Sequence, residues 1–150
     1  MISRLTKLIA PLNDVSTTFT HPPGFQKSTA QGIADFPDSH QALQKFFYPE
    51  LAPLRVEKSA AQVFEVAREL AQSMRGWDVV FVDLDRNHLE AVVTTPWLRF
   101  KDDVCVEVKA LDDNHCEVQM RSKSRVGLSD LGANARRIHD FFDKLKKSLS

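Results

Sequence analysis

Apolar residues recur at helical spacing over two stretches of the chain, and both stretches predict amphipathic helices. The first apolar stripe consists of Val63, Val66, Ala67, Leu70 and Met74. Ser59 and Gln62 form a capping box before this stripe, and Gly76 follows it. The pattern therefore predicts a helix over residues 60–75.

The second stripe lies near the C-terminus and consists of Leu131, Ala135, Ile138, Phe142, Leu145 and Leu149. Ser129 or Asp130 precedes the stripe and is suited to cap a helix. The pattern predicts a long helix that extends to about Ser148.

Between the two helices, four runs rich in β-branched and apolar residues are separated by turn residues, which predicts four antiparallel strands. These runs are Trp77–Asp83, His88–Thr95, Val104–Ala110 and His115–Ser122. A shorter run, Leu54–Glu57, predicts a strand before the first helix. This order predicts a two-layer α+β sandwich, in which two helices cover one face of an antiparallel sheet of about five strands. The same order occurs in TATA-binding-protein-like folds and, enlarged, in helix-grip proteins.

Residues 11–50 differ from the rest because they contain five prolines and two glycines, which argues for an extended segment with brief turns. The first 50 residues are therefore set apart from the domain that follows. They predict an N-terminal arm packed on an α+β domain of residues 51–150, with a short amphipathic helix at its start and another from about Asp38 to Phe47. Its aromatic residues are Phe19, Phe25, Phe36, Phe46, Phe47 and Tyr48. They either pin the arm into surface grooves or make it a lid over a ligand site.

The chain of 150 residues has 20 Lys and Arg residues against 20 Asp and Glu residues, so its formal net charge is zero. This balance predicts no nucleic-acid partner. No apolar run reaches the roughly 20 residues of a transmembrane helix, and charges interrupt the first ten residues too often for a signal peptide. We therefore expect a cytoplasmic protein without a transmembrane segment. The sequence predicts no oligomeric state.

The two cysteines belong to the last two predicted strands, and alternation places Cys116 toward the core and Cys105 away from it. Opposite faces exclude a disulfide, so both are expected to be thiols. No clustered ligands indicate a metal, and no cofactor is predicted. Cys105 faces Arg121 in the predicted register, and a neighbouring guanidinium would lower the pKa of its thiol.

The run from Arg121 to Ile138 joins the last strand to the last helix and contains four arginines, one lysine and two glycines. Together with Phe100–Val104, Asn13–Thr18 and Pro22–Phe25, it resembles the domain of unknown function 1499 family. The resemblance extends from roughly Leu12 to Leu145. The family occurs in bacteria and plastids and has no agreed reaction, so the resemblance implies the domain and not an activity.

Two interpretations of the basic run stay open. A non-catalytic domain would use it to bind a small anionic or amphipathic, lipid-like ligand. The ligand-binding candidates are Arg121, Ser122, Ser124, Arg125, Ser129, Asn134 and Arg137. Alternatively, the run is architectural in a protein-interaction or scaffold domain, and an ion-pair network of Asp102, Asp103 and Asp130 holds its arginines.

Catalytic motifs are sparse in this sequence. Serine, histidine and aspartate occur near the basic run, but no Gly-x-Ser-x-Gly elbow accompanies them. His88 and His115 lie at strand ends beside turns, which predicts solvated side chains. We assign no catalytic residue and favour binding over catalysis.

Overall fold

Six strands form one antiparallel sheet in the computed structural model, which describes residues 2–8, 10–27, 36–127 and 129–150. The strands are β1 (Asp14–Ser16), β2 (Leu54–Val56), β3 (Trp77–Asp83), β4 (His88–Thr94), β5 (Lys101–Ala110) and β6 (Cys116–Ser124). The helices in these residues are α1 (Arg4–Leu8), α2 (Asp38–Phe47), α3 (Ala60–Ser73) and α4 (Ala133–Leu149). The predicted α+β class and antiparallel sheet are confirmed.

The strand order is β1-β6-β5-β4-β3, and β2 pairs with the other end of β6. In the β5–β6 hairpin, Cys105 lies opposite Arg121 and Lys109 opposite Glu117, which confirms the predicted register. The sheet has six strands rather than about five, because β1 adds to the edge of β6. Three residues are too few to carry a visible alternation, so the sequence pattern did not reveal this strand.

The two long helices pack against one face of the sheet. Val104, Val106 and Val108 point toward them from β5, and the core continues through Ile138 and Phe141 of α4. Helix α3 begins with the predicted capping box, in which the Ser59 side chain accepts from the Gln62 N–H. Alternation of side chains along each strand thus directs the aliphatic residues to one layer.

Residues of the arm cover the opposite face and also extend the sheet. Beyond β1, the side chain of Gln44 in α2 accepts from the Ser16 N–H (2.9 Å) and donates to the Ser16 carbonyl (2.6 Å). The amide therefore satisfies the outer edge of β1 as a further strand would. Residues 28–35 of the predicted arm, and Leu128 of the basic run, lie outside the described residues.

Over the described ranges, none of the helices combines the length and the apolar character that crossing a bilayer requires.

Candidate functional site

Arg121, the first predicted ligand-binding residue, is fully buried beneath the arm. Its Nε donates to Asp14 Oδ1 (3.0 Å) and its Nη2 to Asp14 Oδ2 (2.7 Å), a bidentate ion pair. The guanidinium also lies between the rings of Phe25 and Phe36, at 5.3 and 5.5 Å from their centroids. Arg121 therefore cannot meet a ligand from solvent, and its partner is Asp14 rather than Asp103 or Asp130.

Four other residues of the basic run bind one another on the helix-covered face. Arg137 donates to Asp102 Oδ2 (2.8 Å), to the Ser122 hydroxyl (3.0 Å) and to Asn134 Oδ1 (2.8 Å). Asn134, fully buried, also donates to the Ser124 hydroxyl (2.9 Å) and accepts from Ser122 (2.6 Å). These bonds join the first turns of α4 to β5 and β6. The polar groups that were expected to bind a ligand therefore bind other residues of the protein.

Asp130 and Ser129 shape the entry into α4. Asp130 accepts from the N–H groups of Gly132 (2.7 Å) and Asn134 (3.2 Å), and the Ser129 hydroxyl accepts from the Leu131 N–H. Gly132 precedes the helix at φ = 80°, a left-handed conformation that favours glycine. The N-cap of α4 is therefore Gly132 and not Ser129 or Asp130 as predicted, although Asp130 accepts from an N–H group of the first helical turn. Asp130 does not hold Arg121 or Arg125.

Arg125 makes a bidentate pair with Asp103, with donor–acceptor distances of 3.0 and 2.9 Å. The carboxylate is buried, whereas the arginine side chain retains 29% of its exposure. Asp102 and Asp103 therefore bind arginines on opposite faces of the sheet, as their adjacent positions in β5 require.

A groove of about 760 Å³ lies between the C-terminal end of α3, the first turns of α4 and the end of β4. Its apolar lining comprises Leu70, Met74, Trp77, Val93 and Pro96. Its cationic lining comprises Arg75, Arg136, Arg137 and Lys144. Asp140 is the one carboxylate among the described lining residues, and it binds Lys144 at 2.8 Å. The groove therefore has an apolar floor and a positively charged rim.

The cations of the rim differ in the bonds that they make to other residues of the protein. Arg137 is held by Asp102, and Arg136 donates to the Leu131 carbonyl (2.9 Å). The Arg75 guanidinium forms no hydrogen bond or ion pair with any residue that the structure describes, and it is exposed. Arg75 lies just beyond Met74, the C-cap of α3, where it is available to an anion entering the groove.

Sequence reasoning missed this groove because its cations are scattered over the chain. Arg136, Asp140 and Lys144 follow each other at intervals of four, which places them along one edge of α4. That edge was the available signal, but nothing in the sequence places Arg75 beside it.

A second polar cluster lies under the arm and was also missed. His88 and Glu90 are fully buried, with His88 Nε2 at 3.0 Å from Glu90 Oε2. Glu90 also accepts from the N–H groups of Gln26 (2.7 Å) and Lys27 (3.0 Å) of the arm. The prediction that His88 is solvated was wrong, because the arm covers the polar side of β4.

The charges of this cluster affect one another. Burial lowers the pKa of His88, but hydrogen bonds and charge from Glu107 and Glu90 outweigh it, so the pKa is raised above its usual value. Burial raises the pKa of Glu107, but the hydrogen bond and charge of His88 together with the charges of Lys109 and Arg86 outweigh it, so the pKa is lowered. The pair therefore favours a charged histidine and a charged carboxylate.

Cys105 lies in the same layer and is fully buried against Phe25. Burial raises the pKa of its thiol well above the usual value, and the nearby Arg121 guanidinium does not offset this. The expectation of a lowered pKa was therefore wrong. Cys105 and Cys116 are both free, as predicted.

Comparisons with known proteins identify a family of unknown function and solved structures of low sequence identity. A family model described as a protein of unknown function (DUF1499) matches residues 14–145. An uncharacterised protein from Bacillus thuringiensis aligns with a TM-score of 0.49 and 12% identity, over 65% of this chain and 93% of that one. A norcoclaurine synthase point mutant from Thalictrum flavum aligns with a TM-score of 0.42 and 12% identity, over 65% and 93%. None of the curated proteins matches the chain.

Proposed function

The chain belongs to the DUF1499 family of proteins of unknown function, and we propose that it is a non-catalytic domain that binds a small amphipathic anion in the groove between α3 and α4. The observation that carries this proposal is the combination of an apolar floor with a rim of four cations and one carboxylate. Ligand pockets generally combine such a floor with a few polar groups that orient the ligand.

The volume and the charges define the chemical class of the ligand. About 760 Å³ lies within the range of roughly 300–1,000 Å³ that is typical of small-molecule sites. A carboxylate or phosphate at the rim would bind Arg75, because this guanidinium is not occupied within the described protein. An apolar chain or ring would then cover Trp77 and Met74. A fatty acid or a related lipid-like acid satisfies both requirements.

The proposal assigns binding rather than a reaction to this groove. The described residues that line it include no histidine and no cysteine, and its carboxylate, Asp140, is engaged with Lys144. A general base needs to be free to reach a substrate proton. The groups that remain are cations and hydroxyls, which hold an anion.

The fold type and the cellular location are also part of this proposal. We assign the sheet with α3 and α4 to a reduced helix-grip, TATA-binding-protein-like arrangement, whose helices leave a groove at one end. We assign the protein to the cytoplasm, where Cys105 and Cys116 would remain thiols as they are here.

A protein-interaction domain is the second candidate, and the internal bonds of the basic run favour it. Asn134, Arg137 and Ser122 bind one another and the sheet, so the run positions α4 without a ligand. Under this candidate the groove would be empty in the purified protein.

Native mass spectrometry of freshly purified protein, followed by organic extraction, separates the two candidates. A bound acid of a few hundred daltons would support the groove proposal and identify the ligand. A bare protein mass, together with no binding of added oleate, would contradict it and favour a protein partner.

Two charge reversals at the ends of α3 test the location of the ligand. Arg75→Glu places a carboxylate at the rim and should weaken oleate binding by at least about tenfold, because charge-assisted bonds contribute about 1.5–3 kcal/mol each. Lys58→Glu makes the same charge change before the other end of α3, on an exposed residue outside the groove lining. Equal affinities of the two variants in a fluorescent fatty-acid displacement assay would exclude the groove.

A further inference from the structure

Two neighbouring loops expose large apolar side chains at one end of the sheet. The β4–β5 loop (residues 95–100) and the described part of the β6–α4 loop (residues 125–127 and 129–132) contribute Trp97, Leu98, Phe100, Val126 and Leu131, which we call the apolar tip. Trp97 retains 95% of its exposure and Leu98 70%. One cleft of about 290 Å³ is lined by Leu98 and Phe100 of the first loop and by Val126 and Leu131 of the second. The two loops therefore lie side by side.

Hydrogen bonds hold the β4–β5 loop in the shape that exposes these residues. The Thr95 N–H donates to the Phe100 carbonyl (2.8 Å), and the Phe100 N–H donates to the Thr95 hydroxyl (2.9 Å). Within this closed loop, Trp97 has φ = 66° and Arg99 has φ = 59°. Side-chain-bearing residues adopt this left-handed region at a cost of about 1–2 kcal/mol. Trp97 is therefore exposed from a backbone conformation that is unfavourable for its residue type, and such conformations are common at functional sites.

The second loop is tied to the first. The Arg125 N–H donates to the Lys101 carbonyl (3.3 Å), which places Val126 next to Phe100. Single exposed apolar residues are normal on protein surfaces, but a cluster from two loops indicates a binding surface. At the opposite end of the sheet, Leu84 and Leu111 are exposed in different turns.

The exposed charges around the apolar tip are positive. Arg99, Lys101, Arg125 and Arg136 are all exposed here. Two nearby carboxylates are withdrawn from the surface, since Asp102 is buried against Arg137 and Asp103 against Arg125. A third, Asp130, is half-buried in the cleft and accepts from the N–H groups of Gly132 and Asn134. The zero net charge of the chain therefore conceals a local excess of positive charge at this end.

We propose that the apolar tip docks the protein on an anionic lipid surface, with Trp97 and Leu98 inserted among the headgroups. Tryptophan at the interface, aliphatic side chains below it and arginines beside the phosphates are the groups that suit such a surface. Thr95, Pro96, Ala133 and Arg136 line both this cleft and the groove, so docking brings the groove to the membrane. The docking does not require the groove to bind a ligand.

Sedimentation with vesicles tests this surface in the full chain. Vesicles of phosphatidylcholine and phosphatidylglycerol in equal amounts should carry the protein down, and binding should fall as salt is added. Vesicles of phosphatidylcholine alone should bind at least about tenfold less. The fluorescence of Trp97 should shift to the blue on binding, and Trp97→Phe should lose the shift while it retains binding.

Matched variants locate the contact. Leu98→Ser should weaken vesicle binding by about tenfold, since burial of a leucine side chain contributes about 1.5–3 kcal/mol. Leu84→Ser alters a leucine of similar exposure, 67% against 70%, at the other end of the sheet and should leave binding unchanged. Arg99→Glu should abolish the preference for phosphatidylglycerol, whereas Lys58→Glu should preserve it.

Three results would overturn the proposal: no binding to the mixed vesicles, equal effects of Leu98→Ser and Leu84→Ser, or self-association through the apolar tip without vesicle binding. Oleate binding in the absence of vesicles is a separate readout. A variant that loses one property and keeps the other therefore shows which proposal fails.

Discussion

The two faces of this sheet are buried by different means. On the helix-covered face, Val104, Val106 and Met120 pack against Ile138 and Phe141 with no exposed surface. On the arm-covered face, strands of the same sheet contribute buried ionisable groups, among which are Asp14, His88, Glu90, Cys105 and Arg121. One chain therefore builds an aliphatic layer and an ionic layer on opposite sides of the same backbone.

This difference determines how each layer depends on its sequence. Apolar burial is non-directional, so neighbouring side chains adjust to a small change at modest cost. A buried charge needs its partner at hydrogen-bond distance, because desolvation costs several kcal/mol per ion. The arm-covered layer therefore depends on specific pairs, whereas α3 packs through apolar area and α4 adds the polar bonds of Asn134 and Arg137 to its apolar contacts.

Asp14→Ala should produce the largest loss of stability, because it leaves the Arg121 guanidinium buried without a carboxylate. Breaking one side of a buried ion pair costs about 3–5 kcal/mol. Urea unfolding followed by circular dichroism measures this loss. A loss below about 1 kcal/mol in the free energy of unfolding would show that buried Arg121 does not depend on Asp14 as its partner.

The double replacement Asp14→Leu with Arg121→Met sharpens the same test. It removes both charges and keeps apolar volume between Phe25 and Phe36. Such exchanges are often neutral or stabilising, so the double variant should be more stable than Asp14→Ala. If the double variant and Asp14→Ala have the same free energy of unfolding, the unpaired charge of Arg121 is not the cause of the destabilisation.

Glu90→Gln should have the next largest effect, because the amide places a donor where the carboxylate accepts from His88 and two arm N–H groups. A buried polar group left without its partner costs about 1–3 kcal/mol. Hydrogen exchange at Gln26 and Lys27 should become faster than in the parent protein. Glu117→Gln, whose arginine partner Arg55 is exposed, is the control and should change stability by less than about 1 kcal/mol.

Ile138→Val tests the aliphatic layer with a smaller change. Deletion of one methylene from this fully buried side chain should cost about 0.5–1.5 kcal/mol. Because Gln26 and Lys27 bind Glu90 on the opposite face of the sheet, exchange at these two residues should keep its rate relative to global unfolding. Selective opening of the arm would show that the two faces are coupled.

The aliphatic layer was predictable from sequence and the ionic layer was not. Stripes such as Val63 to Met74 and the alternation of β5 carry their own period, so local residues predict both the element and its buried face. The Asp14–Arg121 pair joins residues 107 positions apart, and no local pattern records it. The alternation of β4 places His88 and Glu90 on a polar face, which sequence reasoning takes as solvent-exposed until the arm is known to cover it.

The candidate site shows the same limit. The basic run was correctly located between β6 and α4, but its composition does not reveal that Arg137, Asn134 and Ser122 satisfy one another. Nor does it reveal Arg75, which reaches the groove from α3 only through the packing of that helix. Residue type predicts what chemistry is available, and tertiary contacts decide which groups remain free to perform it.

The pH dependence of unfolding should show the smallest difference between the faces, and it should arise in the ionic layer, where His88 and Glu107 bind each other. The pKa of His88 is raised in the folded protein, so its contribution is complete below its unfolded value of about 6.5 and is lost as the pH rises through the folded value. The pKa of Glu107 is lowered, so its contribution is complete above about 4.5 and is lost as the pH falls through the folded value.

The free energy of unfolding should therefore be greatest between about pH 4.5 and 6.5 and decline on the alkaline side. His88→Gln should flatten this alkaline decline, because the charge that favours folding at low pH is gone. His139→Gln, which changes an exposed histidine of α4, should retain it. If the two variants give the same profile, His88 is not the group responsible, and the ionic layer stabilises the arm through the Asp14–Arg121 pair and the bonds of Glu90 without a proton-dependent part.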